Sequence, residues 1–125
     1  MTRDEIEALT DDELVERVAT EVMGWHKEED EYFGISWMDK DGIHKEICEI
    51  WNPLSLVDMN VAWDVMEKVE QFVTFVLRED VPGDWNTTFT AELTVKATKT
   101  NHTLYRVYSA QCAICIASLL AVQCP

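Results

Sequence analysis

"WNTTFTAELTVKATKTNHTLYRVYSAQCAICIASLLAV" (Trp85–Val122) changes its hydrophobic period once, and that change decides the fold class. Through Trp85, Phe89, Ala91, Leu93 and Val95 apolar side chains alternate with polar ones, as on a half-buried strand. "TKTNH" reads as a turn and "TLYRVY" as the returning strand of a hairpin. Ser109 then stands as an N-cap, and the apolar run Ala113–Val122 has the length and composition of a buried helix. Strands joined by a short turn pair antiparallel, and a helix that follows them covers their apolar face.

The same grammar extends upstream. "EDVPGD" is a loop, and "VTFVLR" before it either prolongs a helix or starts a strand. "DMNVAWDVMEKVEQF" is a helix capped by Ser55 or Asp58, with Ala62, Val65, Met66, Val69 and Phe72 on its buried face. "WNP" (Trp51–Pro53) ends the segment before it, since proline cannot extend an inner strand. From Glu31 to Ile50 the period is two. Phe33, Ile35 and Trp37 mark one strand, "DKDG" (Asp39–Gly42) a turn, and "IHKEICEI" a second strand. At the N-terminus, Thr2 with Glu5 and Thr10 with Glu13 have capping-box spacing. The second box opens an amphipathic helix along Leu14, Val15, Val18, Ala19 and Val22. Gly24 supplies the left-handed residue that ends such a helix, and Trp25 folds back over its last turn.

The expected architecture is therefore a single α+β domain over residues 1–125. It is an α-β-α sandwich in the order α-ββ-α-ββ-α, with an antiparallel sheet from two hairpins covered by three helices.

Composition narrows the functional classes. The formal charge is −14, which repels nucleic acid, and no apolar run approaches the roughly 20 residues of a membrane span. The polar start "MTRDEIEALTDDE" does not resemble a secretory leader, so the expected location is the cytoplasm. The charge is uneven: residues 1–31 hold 12 acids and 3 bases, residues 32–92 hold 12 and 4, and after Glu92 there are only Lys96, Lys99 and Arg106. Cys48, Cys112, Cys115 and Cys124 are expected as thiols in a reducing compartment. Cys112-x-x-Cys115 lies in an apolar helical run without two further ligands at zinc spacing, so no metal or other cofactor is expected.

The pieces together resemble a known family, the phage ABA sandwich domain. The resemblance rests on "MTRDEIEALTDDELVERVATEVMGW", on "NPLS…MNVAWDVMEKV" and on "SAQCAICIASLLAV", in that order. In the family these look like an N-terminal helix ending in methionine-glycine-tryptophan, a proline-led helix with an alanine-tryptophan pair, and an alanine-rich C-terminal helix. The stretch "FVLREDVPGDWNTTFTAELTVKATKTNHTLYRVY" carries no specific family pattern. The resemblance implies a small α-β-α domain of phage or prophage origin, hence a protein of the host cytoplasm. It implies no catalytic residues, because the family has no settled activity.

Enzymatic chemistry finds no motif: there is no G-x-S-x-G, P-loop, dinucleotide-binding turn or H-E-x-x-H. The expectation is a non-enzymatic protein. His26 with Glu28, Glu29 and Asp30 reads as a solvated acidic loop, since the cluster lacks the glycine and spacing of a calcium loop. Trp37, Trp63 and Trp85 are in phase with core faces. Trp25 and Trp51 sit at element ends, where an aromatic ring can stack a planar ligand.

The candidate ligand-binding residues are Trp25, Lys96, Lys99, His102, Tyr105 and Arg106. Cations and aromatic rings around one hairpin are what a nucleotide-type anion requires. The functional expectation is a phage accessory protein that binds and sequesters a small anionic host defence signal. The alternative is an acidic interaction module, or a DNA-mimic inhibitor, that engages a host protein. Neither reading involves direct nucleic-acid or membrane binding, and both are compatible with a homo-oligomer.

Overall fold

The structure, a computed structural model, describes residues 1–32, 34–39, 41 and 59–124. Two short helices open the chain, α1 (Arg3–Glu7) and α2 (Asp11–Arg17). Both begin as the capping boxes predict. The Thr2 hydroxyl accepts the Glu5 amide while Glu5 reaches back to the Thr2 amide, and Thr10 and Glu13 repeat the arrangement.

Past Arg17 the helix widens into a π-turn over Val18–Val22. The Thr20 hydroxyl donates to the Glu16 carbonyl at 2.9 Å, competing for the acceptor an α-helix would give to the Thr20 amide. The next closures are longer than α-helical: Met23 N–H bonds to Val18 O, and Trp25 N–H to Ala19 O. Gly24, at φ +73°, makes that last reversal. Val18, Ala19 and Val22 are all buried, so the widened turn keeps the apolar stripe on the core.

Strands β1 (His26–Asp30) and β2 (Gly34–Met38) pair antiparallel, from His26 opposite Met38 to Asp30 opposite Gly34. This corrects the acidic-loop expectation: His26, Glu28, Glu29 and Asp30 lie on a strand. Their backbone joins a ladder, and the described side chains of His26, Glu28 and Glu29 face water, which a two-stranded ribbon permits. Strand β2 falls where Ile35 and Trp37 place it, and Trp37 is buried as expected. Asp39 accepts the Asp41 amide, in keeping with the predicted turn. The expected second strand "IHKEICEI", the "WNP" break, Phe33, Cys48, and the Ser55 or Asp58 cap lie outside the described residues.

Helix α3 (Met59–Val69) buries Ala62, Val65 and Val69, with Met66 and, just past its end, Phe72 half-buried against the core. Trp63 does not join them. It is 52% exposed, because at about 100° per residue it projects roughly 160° away from Val65. Residues 73–79 resolve as a strand, β3 (Val73–Glu79), where β-branched Val73, Thr74 and Val76 favour extension. Seven residue pairs join β3 to β4 (Phe89–Val95), and β4 pairs in turn with β5 (Asn101–Val107). The second hairpin is thus part of an antiparallel meander ordered β3-β4-β5.

Ser109 caps α4 (Ala110–Gln123) by accepting the Cys112 amide at 3.0 Å. This helix touches all three strands of the meander on one side and α1, α2, the π-turn and α3 on others. Every residue from Gln111 to Ala121 is buried. The molecule is an α+β sandwich with α4 at its centre. Among the described residues there are four α-helices and two separate sheets rather than three helices over one sheet.

Candidate binding surfaces

The six candidate residues occupy four places. Lys96 and Lys99 sit in the β4–β5 turn. It is closed by Val95 N–H to Thr100 O at 2.9 Å and Lys99 N–H to Val95 O at 2.8 Å, with Lys99 left-handed at φ 60°. The Lys96 ammonium donates to the Glu70 carbonyl at 3.1 Å, so it ties the turn to the end of α3. His102 lies opposite Leu93, and its Nε2 shares a 2.9 Å hydrogen bond with the Cys124 carbonyl at the end of α4.

Tyr105 and Arg106 lie at the other end of β5. Ala91 pairs with Leu104 but Phe89 with Val107, so Tyr105 and Arg106 together face Thr90 across a β-bulge. Arg106 takes φ 53° there. Six positions of β4 separate Thr90 from Lys96, which at roughly 3.3 Å per residue is about 20 Å. The register thus sets Lys96 and Arg106 at opposite ends of the hairpin, too far apart to grip one phosphate. Bulge and lysine-bearing turn both suit strand β5, which lies at the end of the sheet order. Arg3 adds a further guard by donating from its guanidinium to the Thr103 carbonyl.

Trp25 stands elsewhere. Half-buried against the core, it lines a shallow depression with Met23, with Asp64, Glu67 and Lys68 of α3, and with Gln71 just past that helix. Two acids and one base on that rim favour a cation over an anion. A second depression lies between α3 and β3, lined by Trp63, Met66, Phe75 and Leu77 under Glu67 and Glu70.

Two of the cysteines, Cys112 and Cys115, behave as core residues, and Cys124 is half-buried. Cys112 and Cys115 are buried free thiols, and burial pushes both upward from their ordinary range, away from the reactive thiolate. The Tyr108 hydroxyl, raised by burial and then by its hydrogen bond to Asp11 at 2.9 Å, links the start of α4 to α2. Among the described residues no three His, Cys, Asp or Glu side chains converge as a metal set, and no helix is long and apolar enough to cross a membrane.

The acids do gather. Lys27 of β1 bonds to Glu16 of α2 at 3.2 Å and lies over the Trp37 ring, 5.3 Å from its centroid. That pair links β1 to α2, which carries exposed Asp11, Asp12, Glu13 and Glu16; exposed Glu29 shares the Lys27 face of β1 and exposed Glu28 takes the other.

The loop expected at "EDVPGD" is present between β3 and β4 but runs on through Thr88. Trp85, expected in phase with the core, is 95% exposed. Its strand starts only at Phe89, and Trp85 sits in a turn where Asp84 accepts the Asn86 amide at 2.9 Å. The signal that could have revealed this is "PGD" immediately before Trp85, since three turn-forming residues argue against extending the alternation so far back.

Comparison with known proteins agrees with the architecture. The family described as Phage ABA sandwich domain matches residues 16–119, most of the chain, and the chain belongs to that family. No curated protein and no solved structure matches it. It is a phage protein of a family without settled activity.

Proposed function

We propose that this member of the phage ABA sandwich domain family is a non-enzymatic binding protein that engages a basic surface of a host protein through its acidic helical end. One observation carries the reading: the Lys27–Glu16 pair links β1 to α2 and sets Glu29, on the same face of β1 as Lys27, toward the exposed acids of α2. A field of that sign steers basic partners and repels nucleic acid, which is also what a DNA mimic requires. The buried, high-pKa thiols Cys112 and Cys115 favour binding over nucleophilic chemistry. The test is capture of host-cytoplasm proteins on the immobilised chain, followed by titration of the purified partner at rising salt. Affinity that falls steeply with salt, and is reduced by Asp12→Asn with Glu29→Gln, supports the reading. A partner indifferent to both would refute it.

Sequestration of a small nucleotide-type defence signal is the second reading. It is favoured by the β4–β5 turn, which carries Lys96 and Lys99 together with the hydroxyls of Thr98 and Thr100, themselves 2.8 Å apart. Tyr105, Arg106 and Trp25 are too dispersed to complete that site, so a ligand held there would rest on the turn alone. Calorimetric titration of cyclic nucleotides and ADP-ribose derivatives decides it: binding lost in Lys99→Ala supports this reading, and no heat refutes it.

A further inference from the structure

The loop between β3 and β4, "DVPGDWNTT" (Asp80–Thr88), is held by hydrogen bonds at almost every residue. Asp80 N–H bonds to Thr88 O at 3.0 Å, Val81 N–H to Thr87 Oγ1 at 2.8 Å, and Gly83 N–H to Glu79 Oε2 at 3.3 Å. Asp84 N–H and Thr87 N–H close further turns on Val81 O and Asp84 O, each at 3.2 Å. The Asp80 carboxylate clamps the exit of the loop, accepting the Thr88 hydroxyl on one oxygen and the Thr90 hydroxyl at 2.6 Å on the other. None of these bonds uses the Trp85 side chain. The loop is therefore built without it, and built so as to keep the indole off the body of the protein, with half-exposed Val81 nearby.

We propose that this loop is a preformed docking knob, that Trp85 is its anchor, and that its partner is a protein with an apolar pocket rimmed by lysine or arginine. A rigid loop loses little conformational freedom on docking, and a large amphipathic ring is the residue type that dominates protein interfaces. The charge selects the partner. Glu79, Asp80 and Asp84 make an acidic collar with no base between Glu79 and Thr88, while Arg78 and Arg106 act on Asp80 at its foot. An anionic lipid surface would repel that collar. A second copy fits poorly too, because among the described residues the two depressions that hold a tryptophan carry more acid than base: Glu67 and Glu70 beside Trp63, and Asp64 and Glu67 with Lys68 beside Trp25. The inference rests on the binding-protein reading above but uses a different surface.

The experiment replaces Trp85 in the full chain with the photocrosslinker p-benzoylphenylalanine, irradiates host cells producing it, and sequences the joined peptide by mass spectrometry. One predominant host protein is expected, crosslinked at an apolar site flanked by basic residues. With that protein purified, Trp85→Ala should weaken binding by at least about 30-fold, the smallest effect of a dominant interface residue, whereas Trp63→Ala should not. Because Trp85 is exposed, the variant should keep the wild-type urea midpoint, which separates lost docking from lost folding. Crosslinks to the chain itself, Trp85-dependent pelleting with phosphatidylglycerol vesicles, no predominant product, or equal binding by Trp85→Ala would each overturn the proposal. A partner that depends on Asp12 and Glu29 but not on Trp85 would overturn this proposal alone and leave the acidic-face reading standing.

Discussion

If α4 is packed on every side, truncating it in any direction should be costly. Ile114, Leu119 and Leu120 test this, because at about 100° per residue they point in three directions roughly 100–140° apart. All three are essentially inaccessible to solvent. Each change to alanine removes three carbons, worth about 2.4 kcal/mol at about 0.8 kcal/mol per buried carbon, before any cavity term. For Ile114 the cavity term is not zero. It already borders a void of about 10 Å³ with Met66, Val69, Val73, Phe75 and Leu93, which the truncation would enlarge. The expected losses are about 2–5 kcal/mol for each variant, a large part of the roughly 5–15 kcal/mol that stabilises a domain. Urea unfolding followed by tryptophan fluorescence and far-ultraviolet circular dichroism measures them. If one of the three costs under about 1 kcal/mol while the others cost several, that side of α4 faces water, and the central-helix architecture is refuted.

Trp63→Ala should cost only about 1 kcal/mol, since half the ring is already in water, and a loss of 3–5 kcal/mol in the same titration would mean a packed indole. Acid should destabilise the fold progressively. Glu5 is held below 4.5 chiefly by the Thr2 amide, Glu13 below 4.5 by the Thr10 hydroxyl, and Asp80 below 3.8 by the hydroxyls of Thr88 and then Thr90. Depressed carboxylates stabilise above their unfolded pKa and lose that contribution as pH falls through the folded one. The urea midpoint should therefore drop from about pH 4.5 downward, and Asp80→Asn should flatten the part below 3.8; parallel curves for the two proteins would contradict this. In a Cys48→Ser background, a thiol reagent at pH 8 should label half-buried Cys124 quickly and buried Cys112 and Cys115 only on unfolding. Rapid labelling of all three would mean α4 opens readily.

How much of this was legible depended on whether a signal was local. Capping boxes need residues only three apart, and both formed. The Gly24 stop and the Ser109 cap are likewise one-residue chemistry, and both are where the sequence puts them. Period told strand from helix wherever the segment was long enough, as in β4 and α4. It was silent on β3, where "VTFVLR" is short and apolar and the strand is settled by seven partners on β4. It misled at Trp85, whose strand begins only at Phe89, and at Trp63, which projects away from the Val65 face of α3. The strand character of the β1 acids was hidden for a related reason: a ribbon open to water asks for no apolar alternation. The site was least legible of all, since the hairpin register and its bulge decide which cations are neighbours, and sequence spacing does not encode them.

The charge asymmetry gains a structural meaning from the same topology. An ionised side chain inside the core must be paired or neutralised, so a helix enclosed on every side is composed without one. From Val107 to the end of the chain there is no charged side chain at all, and this is the segment that contains α4. The acid-free C-terminal third is therefore first a map of burial. Its three cations follow from having one exposed hairpin ahead of a buried helix, and the length of that hairpin sets Arg106 apart from the two lysines. The acids, excluded from the centre, accumulate on the peripheral elements α1, α2, β1 and α3 and on the β3–β4 loop. What is concentrated on this molecule is negative charge beside exposed aromatic rings, and a partner that reads such a surface must bring positive charge and an apolar pocket of its own.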